Sequence, residues 1–231
     1  MLRREIDGLL LTFHLAGINN QNFLMRDEQT GTYWQQISGM AVAGPLKGRQ
    51  LALIPADELT FALWKTEQPQ GTVLNDASQY ASGYAARDWD VQMQKTPTVL
   101  SYPESGLQAR DLMLGIHAFG ASRAFPYEKV LAQKLIQDHV GSEPVILVAG
   151  PDGESVRVFR QKIPGVEGTP EFYRELDGGL LMDSATGSHW NFQGCATSGK
   201  MQGVCLERVN AVKDYWFDWR HYNAGTSVYQ R

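Results

Sequence analysis

Three titratable residues in the second half of the chain, Asp138, His139 and His189, are of the types that acid–base chemistry uses, since imidazole and carboxylate can exchange a proton near neutral pH. His189 stands where an earlier, similar stretch has Tyr33, so the local fold does not demand an imidazole there; Asn191 lies close by. A second constellation is amide-rich: Asn19, Asn20 and Asn22 in AGINNQNF. Amides beside an apolar strand can bind a ligand through paired donors and acceptors, or brace a turn. Bracing is the favoured reading. A third consists of Asp27 and Asp183, each just before a Thr-Gly pair. Near a shared axis they would form paired carboxylates; as Asx-type turns they would brace two hairpins, and their recurrence favours the turn.

The rest of the inventory is sparse. His14, His117, His139, His189 and His221 show no metal-binding spacing, so no metal or other cofactor is assigned. No nucleophile elbow, phosphate loop or dinucleotide fingerprint is present. Cys195 and Cys205 lack zinc-ligand spacing; they are expected to face each other across a turn centred on Lys200, where a disulfide would be an optional staple in an oxidising compartment, and the sequence leaves bonded and free cysteines equally open.

These residues have to be positioned by a soluble-type globular chain. It has 231 residues, 43% hydrophobic and 20% charged, enough to bury a real core. A net charge of −4 without a Lys/Arg cluster argues against nucleic acid as a partner. No apolar run approaches the ~20 residues a membrane-spanning helix needs. The opening MLRREIDGLLLTFHLAG is not a credible signal peptide, because Glu5, Asp7, Thr12 and His14 interrupt its charged and apolar regions.

The chain repeats itself. Leu24, Met25, Asp27, Thr30, Gly31 and Trp34 match Leu181, Met182, Asp183, Thr186, Gly187 and Trp190. Gly39, Ala41, Gly44, Gly48 and Leu51 then match Gly194, Ala196, Gly199, Gly203 and Leu206, and the register reaches Trp64 with Trp219 and Val73 with Val228. In each copy β-branched and aromatic residues predict strands, Gly-x-x-x-Gly a turn, and a Trp-bearing stretch a short amphipathic helix. Asp57 and Asn210 are the expected helix N-caps and Pro69 the first helix's stop. Ahead of the second copy, strands are expected near 112–117, 121–125, 143–149 and 155–163, with a helix from Pro126 and a hairpin turn at 151–153. Arg3, Ile6 and Gly8 align with Arg160, Ile163 and Gly165, so the chain is expected to start inside the first unit, as a fragment of a longer protein would. The expected fold is α+β, mainly β: two tandem β-meander-plus-helix repeats. Residues 1–74 form the first, incomplete at its N-terminus; 75–110 connect; 111–231 form the complete second.

Taken together, NNQNFLMRDEQTGTYWQQISGMAVAGPLKGRQL, ALWKTEQP, LGI…ASRAFP at 114–126 and IQDHVGSEPVILV at 136–148 resemble the prokaryotic domain of unknown function 3179. That resemblance implies architecture more than activity, and weakly implies an exported protein; location is otherwise unassigned. Family members commonly carry Cys-x-x-Cys after the strand written here as PVILV, whereas this chain continues AGPDGES. A redox or metal role therefore depends on a hairpin upstream of Met1.

Three functions are weighed. The leading one is a non-catalytic binding module using aromatic and amide side chains, with a small molecule, sugar or peptide as ligand. The second is a hydrolase-like or other acid–base enzyme with its site between the repeats, using Asp138, His139 and His189. The third is the redox or metal protein.

Overall fold

Thr-Gly and Gly-x-x-x-Gly decide where this chain turns. Gly44 and Gly199 hold φ values of 103° and 87°, and a Cβ on either would lie 2.8 Å from the Cα of Thr32 or Ser188. Only glycine meets both demands. The computed structural model describes residues 1–75, 78–102, 106–175 and 181–230. It is mainly β, as the alternating and β-branched patterns require.

The first segment opens with a ribbon of β1 (Glu5–Ile6) and β2 (Leu9–Leu10). A four-stranded antiparallel meander follows, formed in chain order by β3 (Phe13–Asn19), β4 (Asn22–Asp27), β5 (Tyr33–Gln35) and β6 (Ala41–Ala43). Then comes α1 (Phe61–Glu67). The 75–110 stretch, expected only as a connector, carries a 3₁₀ turn at Ser78–Gly83 and the short α2 (Trp89–Lys95).

Next, β7 (Leu112–Ala118) and β8 (Ala121–Pro126) pair as a hairpin, and α3 (Tyr127–Gln133) follows. A three-stranded sheet of β9 (Leu135–Val140), β10 (Glu143–Ala149) and β11 (Val156–Arg160) comes after, with β10 central. β9 was not anticipated: its LIQDHV alternates buried and part-exposed residues too irregularly to announce a strand, and pairing with β10 supplies the order. A second meander follows, of β12 (Phe172–Arg174), β13 (Leu181–Asp183), β14 (His189–Trp190) and β15 (Ala196–Ser198). Finally β16 (Val212–Tyr215), α4 (Trp216–Tyr222) and β17 (Ser227–Val228) return to the β7–β8 hairpin.

Both expected N-caps are corrected. Thr60, not Asp57, caps α1 through its side chain, because Asp57 is drawn away to Arg157 and Arg208. α4 starts after Tyr215, with Asn210 ahead of the intervening strand β16, since pairing with β7 keeps 212–215 extended. The helix ends at Glu67, just before Pro69, as expected.

Local geometry recurs between the two meanders. Trp34 Nε1 donates to Asp27 Oδ2 at 2.7 Å and Trp190 Nε1 to Asp183 Oδ2 at 2.9 Å. Thr30 and Thr186 each give the same carboxylate a backbone N–H and a hydroxyl. Both tryptophans are fully buried. Met40 bridges Gln50, and Cys195 bridges Cys205 in the matching place, with a disulfide across a Cα separation of 4.0 Å. Arg3 N donates to Ala52 O as Arg160 N does to Glu207 O. Asp27 and Asp183 are thus turn braces. Burial opposes their ionisation, but the indole, threonine and backbone donors win and hold both below 3.8.

The helices join distant parts of the chain. Leu59, just ahead of α1, and Leu63 within it pack on the core around Phe159, Phe172 and Trp190. The helix is tied there by Thr60 to Asp152 (2.7 Å), and by Arg157 to Glu67 (2.6 Å) and Asp57 (2.7 Å). α4 in turn meets the β3–β4 hairpin of the first meander.

Truncating Trp190 to Ala should cost about 3–5 kcal/mol, the usual loss for a packed aromatic. Trp190→Phe keeps a smaller aromatic ring but leaves Asp183 one donor short, and should cost about 1–3 kcal/mol. Urea unfolding of the two variants reads both losses; a Trp190→Phe variant as stable as the parent would mean that the indole N–H contributes nothing.

Candidate functional site

The sequence around Asn20 builds a tight hairpin. Asn20 and Gln21 adopt φ values of 50° and 67°, which a primed two-residue turn requires and asparagine tolerates. Gln21 is then pinned to the connector, accepting from Val99 N at 2.8 Å. This presents Asn19, Asn20 and Asn22 to α4 as one polar edge. Asn22 Nδ2 donates to Asp218 Oδ2 at 2.8 Å, and Gln35 Nε2 donates to Asn22 Oδ1 at 2.6 Å. Asn20 Nδ2 meets His221 Nε2 at 2.9 Å, while His221 Nδ1 faces Tyr102 Oη at 3.2 Å. Tyr222 Oη donates to the Asn19 carbonyl at 3.2 Å. The amides are spent on one another and on α4, so their work is orientation.

What they orient is a pair of carboxyls. Asp218 is only 7% exposed, among Trp216, Phe217 and Trp219, the other residues that α4 buries. Asp214 lies one residue before the end of β16, and its Oδ1 accepts from Tyr215 N at 2.7 Å. Asp214 Oδ2 and Asp218 Oδ1 have no partner among the described residues. Burial pushes Asp214 up to about 8, with the nearby Asp218 carboxyl adding to the effect. Burial also raises Asp218, although the Asn22 bond and His221 pull the other way. Near neutral pH, Asp214 therefore carries a proton.

Both carboxyls line a cleft of about 520 Å³ between the first meander and β16–α4. Its apolar wall comes from Leu2, Phe13, Met25, Ile37, Leu51 and Leu53, and Arg4 and Lys213 also border it. Lys213 is paired with Glu58. A neighbouring cleft of about 220 Å³ shares Ile37, Leu53 and Val212, and reaches His117, whose Nδ1 lies 2.7 Å from Asn223 Oδ1.

The acid–base candidates read from the sequence are not joined to one another by any hydrogen bond or ion pair among the described residues. Asp138, on β9, is ion-paired with Arg123 at 2.6 Å. His139 is exposed on the same strand. His189 lies half-buried, 3.3 Å from Glu175. Asn191 Oδ1 receives Cys195 N at 3.0 Å and closes its own turn. The Asp214–Asp218 pair was missed, although a signal existed. In the register that matches Trp64 with Trp219, Leu59 and Leu63 occupy the corresponding positions. Where α1 drives two leucines into a core, the α4 segment puts two acids.

Linkage sets the pH dependence. Folding favours the acid form of Asp214, so its contribution is fully present below 3.8 and disappears as pH rises through about 8. Asp152 runs the other way. Burial opposes its ionisation, but bonds from Ser155, Thr60 and the Glu154 backbone hold it at about 2. Its contribution is present above 3.8 and lost as pH falls through about 2. Stability, read as urea midpoint, should decline from about pH 5 to about pH 8, and Asp214→Asn should flatten that decline. Parallel curves for the variant and the parent would remove Asp214 as its source.

No curated protein and no solved structure matches the chain. A family model does, over residues 2–226, nearly the whole length. With that span matched, the chain belongs to the family described as protein of unknown function DUF3179.

Proposed function

We propose that the chain is a non-catalytic binding module made of two tandem repeats, residues 1–74 and 111–231, joined by 75–110, with its ligand in the cleft between the first repeat and α4. One observation carries this reading: two carboxyls, each with a buried and unpartnered oxygen, line a cleft that has one apolar wall. Leaving such acceptors unmade is costly, and a protein that tolerates the cost has a use for them. Leucine at the corresponding positions of the first repeat supports the same view, because the architecture accepts apolar residues there. The ligand is a small molecule, sugar or peptide that presents hydrogen-bond donors to the carboxyls and apolar surface to the wall. Asn22, anticipated as a ligand contact, donates to Asp218 and accepts from Gln35, which supports a site built around that carboxyl.

One observation favours the second reading, an acid–base enzyme with its site between the repeats. Asp214 and Asp218 are coupled carboxyls in unlike surroundings, the arrangement that separates an acid from a base. Its catalytic groups would then be these two, in place of Asp138, His139 and His189.

A ligand panel of sugars, short peptides and small polar compounds, read by thermal shift and calorimetry, tests the proposal. A compound that binds the parent should lose about tenfold or more in affinity with Asp218→Asn, the effect of removing a charged hydrogen-bond acceptor. Consumption of the compound by the parent would favour the enzyme. Unchanged affinity in the variant would move the site elsewhere.

A further inference from the structure

We infer that the cleft selects an apolar primary ammonium, with its nitrogen on Asp214 and Asp218 and its hydrocarbon against the wall; this rests on the binding reading above. The two unpartnered oxygens are buried and belong to carboxyls four positions apart, where β16 passes into α4, close enough for their charges to interact. An ammonium group offers three donors and a positive charge, enough for both carboxyls. A hydroxyl has one donor and would leave the other acceptor open. A carboxylate has none. The wall of Leu2, Phe13, Met25, Ile37, Leu51 and Leu53 suits a hydrocarbon body.

Other charges facing the pair are accounted for. Lys213 is paired with Glu58, and His221 has both ring nitrogens engaged by Asn20 and Tyr102. Tyr222 gives its hydroxyl to the Asn19 carbonyl. On the side of the first segment, Met1 and Arg4 line the cleft and are exposed, so water screens their positive charges more than it does the buried pair. Arg4 also favours a ligand whose far end is neutral or negative, as in a peptide whose N-terminal residue is apolar.

Binding moves a proton. Free Asp214 is protonated at neutral pH, and an ammonium beside it favours the carboxylate. The incoming cation therefore displaces the Asp214 proton to solvent, one proton for each ligand bound. Affinity should rise with pH across the range where Asp214 titrates, up to the point where the amine itself loses its proton.

The experiment uses the full chain with n-hexylamine, n-hexanol and hexanoate, followed by calorimetry at pH 7 in two buffers of different ionisation enthalpy. A second arm compares leucyl-glycinamide with its N-acetyl form, separating a free amine from a peptide N-terminus as the natural source. The expected result is hexylamine binding about tenfold or more tighter than hexanol, no binding of hexanoate, and a buffer-dependent heat that reports proton release. Asp214→Leu with Asp218→Leu restores the residues of the first segment. It should remain folded by circular dichroism and bring hexylamine down to hexanol's level. Equal binding of hexylamine and hexanol would overturn the ammonium inference while leaving a binding cleft in place. Failure of every probe, with the parent folded, would overturn both. Undiminished hexylamine binding by the double leucine variant would also overturn the inference, because the nitrogen would then sit elsewhere.

Discussion

A carboxyl group removed from water must be given donors or a proton, and this chain applies both solutions. Asp27 and Asp183 receive donors: an indole, a threonine hydroxyl and backbone N–H groups converge on each, and the carboxylate stays ionised although the residue is buried. Those two braces set the relative position of the strands around them, because a fixed Asp–Thr–Trp triangle locks the β4–β5 and β13–β14 turns and drives each tryptophan into its core. Asp214 is left with the other solution. It has one backbone donor, an open oxygen and a like-charged neighbour, and retains its proton to about pH 8.

The packing of the two helices sets where the second pair lies. Leu59 and Leu63 cover the core around Trp190. The first meander is faced by the β16–α4 segment, which brings Asp214 and Asp218 to the cleft. Asn22, Gln35 and Asn20 then close the joint with hydrogen bonds rather than hydrophobic packing. The two helices therefore make unlike contacts. α1 is held by leucines and by a buried Arg157 satisfied by Asp57 and Glu67; α4 packs Trp216 and Trp219 against Met113 and Ala124, and meets the first meander through amides that leave two carboxyl oxygens over.

Much of the architecture was legible because it rests on local chemistry. The Thr-Gly turns, the paired tryptophans and the Gly-x-x-x-Gly reversals each fix a few residues regardless of distant contacts, and the strands at β7, β8, β10 and β11 carry strong β-branched runs. β9 was not legible, since its order comes from pairing with β10. The caps failed for a related reason: an aspartate or asparagine near a helix start is a good cap only if nothing else claims it, and Asp57 was claimed by two arginines from the far side of the chain. The candidate site divided along the same line. Asn19, Asn20 and Asn22 were visible as a cluster, although their role as supports for Asp218 depends on a helix almost two hundred positions away. Asp138, His139 and His189 were chosen by residue type, and each faces a different local environment.

Matched positions of the two similar stretches differ in ways that carry unequal physical weight. His189 against Tyr33 is a polar residue replacing a polar aromatic at a part-exposed site, where either is tolerated. Cys195 and Cys205 against Met40 and Gln50 change how one bridge is held without altering the pairing. Asp214 and Asp218 against Leu59 and Leu63 differ in kind, because they substitute groups that must be solvated for groups that must not be. At a packing position that change is unfavourable for stability unless something in the cleft answers it.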